Sequence, residues 1–254
     1  MGLTFNDISS DSVGVIVQVY PSHEFPERDY EVTHVPGRNG DIVIDKGSYK
    51  NLDRSYQIVS DSKSDYYKRL GGKIEKLGND IFVDFVERLS VWLHSASGYA
   101  RLEDDYEPEY YRMAMYSEEN SVSNAYGVLG YGTITFNCKP QCFLKSGEEE
   151  YSFTSSGTIT NPTAQTSLPL ITVAKSSSSS GTLTIGDYTI TIASGISNII
   201  IDSEIQDAYY GSANRNSYIT LDDDEFPVLE SGSNSISFSD DITSVIIVPR
   251  WWTL

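Results

Sequence analysis

The sequence predicts a mainly β protein with one helical zone and two domains. Runs of β-branched and aromatic residues, bounded by proline, glycine and asparagine, fill roughly the first 140 residues. Helical spacing interrupts them between residues 80 and 96, and after residue 150 short strand-like runs follow one another at the spacing of a β-sandwich. The 254 residues, 39% hydrophobic and 12% aromatic, suffice to bury a core in one large or two ordinary domains.

Strand-like runs are easiest to delimit in the first part of the chain. They are "VGVIVQVY" (13–20), "DYEVTHV" (29–35), "DIVID" (41–45) and "RSYQIVS" (54–60). After the helical zone, residues 98–116 return to a strand pattern. "GYGTITFNCKPQCFL" (130–144) predicts a further strand, in which Ile134, Phe136 and Cys138 share one face because side chains alternate along a strand.

Apolar side chains at helical spacing predict a helix over 80–96. They are Ile81, Phe85, Leu89, Trp92 and Ala96. Asn79 or Asp80 can cap its N-terminus and Gly98 can end it. The segment 64–77 has a weaker helical pattern, since two adjacent glycines interrupt it.

Charge and helical content divide the chain in two. Residues 1–140 hold 14 basic and 22 acidic side chains (net −8), and the remainder holds 4 and 14 (net −10). We place the boundary at "QCFLKSGEEE" (141–150), which predicts an N-terminal domain over 1–143 and a C-terminal β-sandwich over 150–254.

A serine run interrupts the C-terminal strands. "KSSSSSG" (175–181) has the composition of a flexible linker, but it lies between two runs that alternate cleanly. We therefore interpret it as a mobile hairpin tip rather than a domain boundary.

The net charge limits the partners of this chain. Thirty-six acidic against 18 basic residues give −18, so its surface should repel DNA, RNA and anionic membranes, and no tight nucleic-acid binding is expected. The N-terminus lacks the pattern of a signal peptide, and no run reaches the roughly 18 apolar residues that span a bilayer. We expect a soluble, intracellular origin.

The sequence predicts neither a cofactor nor a metal site. Cys138 and Cys142 could form a disulfide, half of a metal site or a pair of small core residues, and none of the three histidines lies within 40 residues of them. A reduced core or edge pair is the default interpretation.

The stretch "VTHVPGRNGDIVID" (32–45) predicts a hairpin rather than a phosphate loop. It has no Gly-Lys-Ser/Thr and no helix follows it. Asn39-Gly40 between alternating strands is typical of a type I′ turn, since both residues tolerate positive φ. Arg38 could pair with a carboxylate of another subunit or remain a solvated arginine on a turn.

Catalytic patterns are absent from the sequence. The acidic run 221–227 lacks calcium-loop spacing, so an acidic turn with Phe226 buried is favoured. Within 102–109, adjacent carboxylates of a strand point to opposite faces and form no facing pair. No G-x-S-x-G elbow accompanies the serines. We predict that the protein is not an enzyme.

Four aromatic residues are candidates for contact with carbohydrate or a partner. They are Tyr209, Tyr210, Trp251 and Trp252. The last two lie in "PRWWTL", which could instead be the final strand that closes the sandwich.

An ordered series of motifs resembles the distal tail proteins of long-tailed bacteriophages. The series is "PGRNGDIVIDKGSYKN" (36–51), "WLHSASGYARLEDDYEPEYYRMA" (92–114), "GYGTITFNCKPQCF" (130–143), "SLPLITV" (167–173), "NIIIDSEIQDAYY" (198–210) and "EFPVLESGSNSISF" (225–238). The likeness runs from about residue 5 to 250, and the order of the motifs is more specific than any one of them.

The resemblance implies a structural protein of the phage tail tip. In this family a split β-barrel with a flanking helix, similar to tail-tube subunits, forms a ring of six copies, and a galectin-like or carbohydrate-module-like β-sandwich projects outward. The ring, which can stack, joins the last tail-tube ring to the tail-associated tip protein and surrounds the DNA channel. In some relatives the outer domains anchor receptor-binding proteins. The implied location is the virion tail tip, after synthesis in the host bacterial cytoplasm.

Applied to this chain, the resemblance makes the hairpin at 32–45 the candidate contact between subunits. The candidate residues are Arg38, Asn39, Gly40 and Asp41. Two alternatives stay open: a protein whose C-terminal sandwich binds carbohydrate on the host surface, and a cell-wall hydrolase, which would need two facing carboxylates in a groove.

Overall fold

A computed structural model describes residues 2–60, 79–116, 121–125 and 129–254. The chain divides into two compact units. The first ends at Cys142 and also takes in Leu254, while the second runs from Phe143 to Thr253. Within the described residues no helix is long and apolar enough to cross a membrane.

Among the described residues, the first unit contains strands and two helices. The strands are β1 (Leu3–Phe5), β2 (Ile8–Ser9), β3 (Val15–Val19), β4 (Arg28–Thr33), β5 (Ile42–Tyr49), β6 (Leu52–Ser60), β7 (Ala100–Asp104), β8 (Tyr110–Met115), β9 (Val122–Ala125) and β10 (Leu129–Leu144), whose last residues belong to the second unit. The helices are α1 (Ser10–Val13) and α2 (Asn79–Leu93).

Most of these strands form one curled half-barrel sheet. Its order is β2-β1-β7-β8-β10-β6-β3, with β9 also paired to β10. Alternation along β6 and β10 turns Tyr56, Ile58, Ile134 and Phe136 into the core. Cys138 lies on the same buried face, as predicted for β10. The mainly β fold predicted for this half of the chain is confirmed.

Helix α2 covers the core face of this sheet, at the position predicted for a helix. Phe85, Leu89 and Trp92 are buried against the sheet, and the Trp92 indole nitrogen donates to the Ile8 carbonyl at 3.0 Å. Burying each such side chain contributes about 1.5–3 kcal/mol, so the apolar stripe is sufficient to hold α2 in place. The helix ends at Leu93, five residues before Gly98, and the segment 64–77 lies outside the described residues.

The second unit consists of strands connected by short turns. They are β11 (Tyr151–Phe153), β12 (Gly157–Asn161), β13 (Leu170–Lys175), β14 (Gly181–Ile185), β15 (Tyr188–Ile192), β16 (Asn198–Asp202), β17 (Asp207–Tyr210), β18 (Ala213–Asn214), β19 (Ile219–Leu221), β20 (Gly232–Phe238), β21 (Ile242–Val248) and β22 (Trp252–Thr253). One sheet has the order β11-β21-β13-β16-β17-β18 and the other β12-β20-β14-β15-β19. Buried isoleucines and valines of both sheets form a single core, so the predicted β-sandwich is confirmed.

The serine run is a crossover between the two sheets of the sandwich. β13 belongs to one sheet and β14 to the other, so the prediction of a hairpin tip is wrong. Lys175 at its start is buried, and its ammonium donates to the carbonyls of Ser176 at 2.7 Å and Ala193 at 3.2 Å. A buried ammonium needs such acceptors, and the serine-rich composition of the segment does not predict where they lie.

Candidate subunit-interface arm

Strands β4 and β5 form a hairpin that pairs with no other strand of the described residues. Their register runs from Arg28 opposite Tyr49 to Thr33 opposite Ile42, and together they make a separate two-stranded sheet. We call residues 28–49 the arm. The hairpin predicted for this stretch is confirmed.

The tight turn of the arm lies three residues before the predicted one. The Arg38 amide donates to the Val35 carbonyl at 3.2 Å, with Pro36 and Gly37 between them and Gly37 at φ +83°. Proline presets the first central residue of a type II turn, and glycine supplies the positive φ of the second. Asn39 does not adopt positive φ, so the type I′ turn predicted at Asn39-Gly40 is wrong.

Apolar side chains are exposed on both faces of the arm. Val32 is 59% exposed and stands opposite Val43, while Ile44 on the other face is 52% exposed. An isolated two-stranded hairpin is marginally stable in water, and contiguous exposed apolar area commonly marks an interaction site. The arm therefore has the surface of an element that packs against something outside its own chain.

Polar contacts close the base of the arm. The Lys50 amide donates to the Glu27 carbonyl at 2.8 Å, and the two side chains form an ion pair at 3.1 Å. Arg28 pairs with Asp45, and its guanidinium lies over the Tyr49 ring at 5.2 Å. These contacts hold β4 and β5 together at the end of the arm that is joined to the rest of the chain.

The segment before the arm is attached to the turn between β7 and β8. The Tyr20 ring stacks on the Tyr106 ring with centroids 5.1 Å apart. The His23 Nδ1 atom lies 3.5 Å from the Glu107 Oε1 atom. Two side-chain contacts thus set the direction in which the chain enters the arm.

Glu107 is itself held by a buried ionic cluster. Its Oε2 atom lies 2.9 Å from Nη2 of Arg54, which also contacts Asp104 Oδ2 at 3.1 Å. The Tyr56 hydroxyl donates to the same Asp104 oxygen at 2.8 Å and accepts from Arg54 Nε at 3.0 Å. Arg54, Tyr56 and Asp104 are all buried. The attachment of the arm therefore rests on a buried charge cluster in the barrel core.

Electrostatics of the cluster follow from this burial. Burial works against the charge of Arg54, but Tyr56, Asp104 and Glu107 outweigh it and raise the pKa of Arg54. Burial raises the pKa of Tyr56 well above its ordinary value, so the phenol stays protonated as a donor. The cluster keeps its charges because each charged group faces an opposite one.

The four predicted interface residues lie together in the loop 34–41 at the arm tip. Arg38, Asn39, Gly40 and Asp41 are all exposed. His34 Nδ1 lies 3.0 Å from Asp41 Oδ1 across the loop, whereas Arg38 forms no ion pair with any described residue. The guanidinium of Arg38 is therefore available to a carboxylate outside the chain, and that contact stays a prediction.

The four predicted aromatic residues do not form one platform. Trp251 is 1% exposed in the sandwich core, so no face of its ring is open in the described structure. Tyr209 and Tyr210 follow each other on β17 and point to opposite faces, and Tyr210 is 46% exposed. The Trp252 indole nitrogen donates to the Thr166 carbonyl at 2.9 Å. Contact of Tyr209, Tyr210 or Trp252 with a sugar or partner stays a prediction.

Both cysteines are buried and free. Cys138 and Cys142 stand four residues apart on β10, about 13 Å along an extended strand, which is too far for a disulfide without backbone movement. Burial raises the pKa of Cys138 to about 12 and that of Cys142 to about 11. Among the described residues no three His, Cys, Asp or Glu side chains cluster as metal ligands would.

The ionic cluster is the feature that sequence reasoning missed. Asp104 points into the core while Asp105 is exposed, so the predicted alternation within 102–109 is confirmed. The partner of Asp104, however, comes from 50 residues away on β6. A signal existed: Arg54 occupies a position whose neighbours in the alternation, Leu52 and Tyr56, are core residues.

The half-barrel with its covering helix and the sandwich together define a fold of the distal tail protein type. The crystal structure of the SPP1 Dit protein, described as a paradigm of the hub adsorption apparatus in phages that infect Gram-positive bacteria, matches this chain with a TM-score of 0.72 and 12% sequence identity. The match covers 100% of this chain and 99% of that one. The chain therefore has a Dit-like fold, and the resemblance inferred from the ordered motifs is confirmed at the level of the fold.

Weaker matches come from phage baseplates. A chain of the phage P2 baseplate in its activated conformation with Ca has a TM-score of 0.45 at 10% identity, covering 92% of this chain and 89% of that one. The same baseplate with Sr gives 0.42 at 10% identity, with 92% and 90% covered. No family model and no curated protein sequence matches the chain.

Proposed function

We propose that this protein is a structural component of a phage tail tip. In this role six copies associate side by side in a ring that surrounds the DNA channel and joins the tail tube to the tail-associated proteins. The observation that carries the proposal is the likeness to the SPP1 Dit protein, which spans both units of the chain. The likeness covers the full length of the chain, so it is a likeness of the whole protein and not of one module.

The arm supports self-association. Tyr30, Val32, Val43 and Ile44 are about half exposed, and covering each of them against a neighbour would contribute on the order of 1 kcal/mol. A ring repeats each contact by symmetry, so a modest energy per arm is multiplied around the assembly. Backbone groups along the outer edges of β4 and β5 can add strand pairing to this energy.

The charge at the arm tip also supports contact between the arm and a neighbouring copy. Each copy carries a net charge of −18, so an arm approaching a neighbour meets a predominantly acidic surface. Arg38, without an ion pair among the described residues, suits a carboxylate of that surface. The four candidate residues Arg38–Asp41 would then lie at the contact.

The acidic composition also suits a channel for DNA. A wall that repels phosphate lets DNA pass without forming the contacts that would slow its ejection. Six copies at −18 each predict weak binding to duplex DNA even at low salt. Tight retention of duplex DNA in a filter-binding assay at low salt would contradict this role.

The remaining partners follow from the family resemblance. One face of the ring would meet the last ring of the tail tube, and the other the tail-associated tip protein, with the sandwich as a docking site for receptor-binding proteins. The protein would be made in the bacterial cytoplasm and end in the tail tip of the virion. The proposal needs neither a cofactor nor a catalytic group.

Light scattering with negative-stain microscopy of the full chain tests the assembly. We expect a ring with a central hole, and a triple Val32→Ser, Val43→Ser, Ile44→Ser variant that assembles only at much higher concentration. Ile205→Ser is the matched control, since Ile205 is equally exposed but lies in the second unit. A wild-type chain that stays monomeric and also fails to add to isolated tail tubes would exclude the ring.

A further inference from the structure

We propose that Asn39 at the arm tip is a site of spontaneous deamidation, and that this modification marks arms that have not been covered by a neighbour. "RNGD" (38–41) is the only place where asparagine precedes glycine in the 254 residues. The modification itself does not depend on the proposed function, whereas its effect on assembly rests on it.

The chemistry needs only water. The Gly40 backbone nitrogen, after loss of its proton, attacks Cγ of Asn39 and closes a five-membered succinimide. The Cγ–Nδ2 bond breaks and ammonia leaves. Water then adds to one of the two imide carbonyls and opens the ring to aspartate or to isoaspartate, which carries an extra methylene in the backbone.

Local geometry leaves this attack unhindered. Asn39 and Gly40 are exposed in a loop that follows the last strand pair, Thr33 with Ile42. A Cβ built on Gly40 would meet nothing within 4 Å, and Gly40 sits at φ +81°, which glycine adopts without strain. Within the described residues neither the Asn39 carboxamide nor the Gly40 amide forms a hydrogen bond. Water and backbone rotation are both available at this peptide bond.

Other asparagines of the same chain are held in place. The Asn234 carboxamide is buried on β20 and donates to the Glu230 carbonyl at 2.8 Å. The Asn51 carboxamide donates to Asn137 Oδ1 at 2.6 Å. Neither is followed by glycine, so a side chain hinders the attacking nitrogen and the carboxamide must first leave its partner. These two residues are internal controls.

Deamidation changes the surface that an arm presents. It adds a negative charge beside Asp41, in a loop where Arg38 is the cation and His34 the other titratable group. If the arm packs on an acidic neighbour, the new carboxylate repels that neighbour and offsets Arg38. A ring that buries the tip restricts the loop, so assembled arms should deamidate more slowly than free ones.

The modification is tested by peptide mapping of the full-length protein after incubation at neutral and mildly alkaline pH. We expect aspartate and isoaspartate to accumulate at Asn39 before Asn51 or Asn234, faster at higher pH because the attacking species is the deprotonated amide. Gly40→Ala should slow the reaction by about tenfold or more, since a Cβ hinders the attack. Asn39→Gln serves as a second variant, because its longer side chain would have to close a larger ring. Equal rates at Asn39 and Asn51, or an unchanged rate in Gly40→Ala, would overturn the proposal.

The consequence for assembly is tested separately with Asn39→Asp. We expect a several-fold higher concentration for half-assembly than for wild type, and also higher than for Asn39→Gln, which changes the same side chain without adding a charge. Wild type should deamidate more slowly above its assembly concentration. Asn39→Asp assembling like wild type would overturn the consequence alone. A wild-type chain that never assembles would contradict the proposed function and leave the deamidation rate as a valid test of the site.

Discussion

The arm and strand β6 are neighbours in sequence and similar in composition, yet their apolar residues meet opposite environments. β6 alternates Leu52, Tyr56 and Ile58 into the core, where α2 covers them. The arm carries apolar side chains on both faces, and both faces remain exposed. The difference shows that strand periodicity identifies a strand, while burial depends on whether a second layer exists to cover it.

The largest expected effect comes from breaking the ionic cluster that supports the arm. Asp104→Ala takes from buried Arg54 one of its two carboxylates and from the Tyr56 hydroxyl its acceptor, and should lower the free energy of unfolding by about 3–5 kcal/mol. Urea denaturation of the full chain measures this loss. Glu109→Ala, at an exposed glutamate five residues on, should change stability by no more than about 0.5 kcal/mol. Equal effects of the two variants would mean that the cluster contributes nothing to stability.

The contrast between β6 and the arm can be measured directly. Ile58→Ala removes a side chain that is fully buried, and should cost about 2–5 kcal/mol of unfolding free energy. Ile44→Ala removes the same atoms from the exposed arm and should cost less than about 1 kcal/mol in the unassembled chain. If Ile44→Ala proved as costly as Ile58→Ala in a monomeric sample, the arm would have to pack on its own chain.

A smaller effect is expected where the arm joins the barrel. Tyr106→Ala removes the ring that stacks on Tyr20, an interaction of about 0.5–1.5 kcal/mol beyond area burial. Amides of the segment 21–27 and of the arm should exchange hydrogen faster, with little change in the sheet. Tyr99→Ala, at another partly exposed tyrosine of the unit, should leave that segment unchanged. Unaltered exchange in Tyr106→Ala would show that the stack does not restrain the arm.

Thiol labelling tests the same difference in burial, between the core of the half-barrel and the exposed arm, without a large change in stability. Because burial raises the pKa of Cys138 to about 12, at pH 8 the native thiol is almost entirely protonated and should resist alkylation, reacting as the pH approaches that value or on unfolding. A Val32→Cys thiol on the exposed arm should react at pH 8 like a free cysteine. Rapid labelling of Cys138 in the native protein, or protection of Val32→Cys in a monomer, would contradict the conclusion that the core is buried while the arm is exposed.

Much of the secondary structure was predictable because it depends on neighbours in sequence. The helix at α2, the strand at β10 and the hairpin of the arm all follow from local periodicity and turn residues. Within the arm, two turn signals competed, and Pro36-Gly37 formed the tight turn rather than Asn39-Gly40. Both pairs favour positive φ at glycine, so sequence alone does not rank them.

Residues of the site were predictable only in part, for the same reason. The tip residues Arg38 to Asp41 lie together because they are consecutive. The cluster that supports the arm joins Arg54 to Asp104 and Glu107 across about fifty positions, and strand alternation alone could show that Arg54 faces the core without showing what it meets.

The sequence by itself determined the alternation of the strands, the apolar face of α2, the acidic charge of −18 and the solitary Asn-Gly pair. Tertiary structure alone decided that β4 and β5 stay apart from the barrel sheet, that Trp251 fills the sandwich core, and that the serine run crosses between sheets. The physical reason is the separation along the chain over which each effect acts. Periodicity and turn preference act over a few residues, whereas pairing and burial depend on contacts between segments that are distant along the chain.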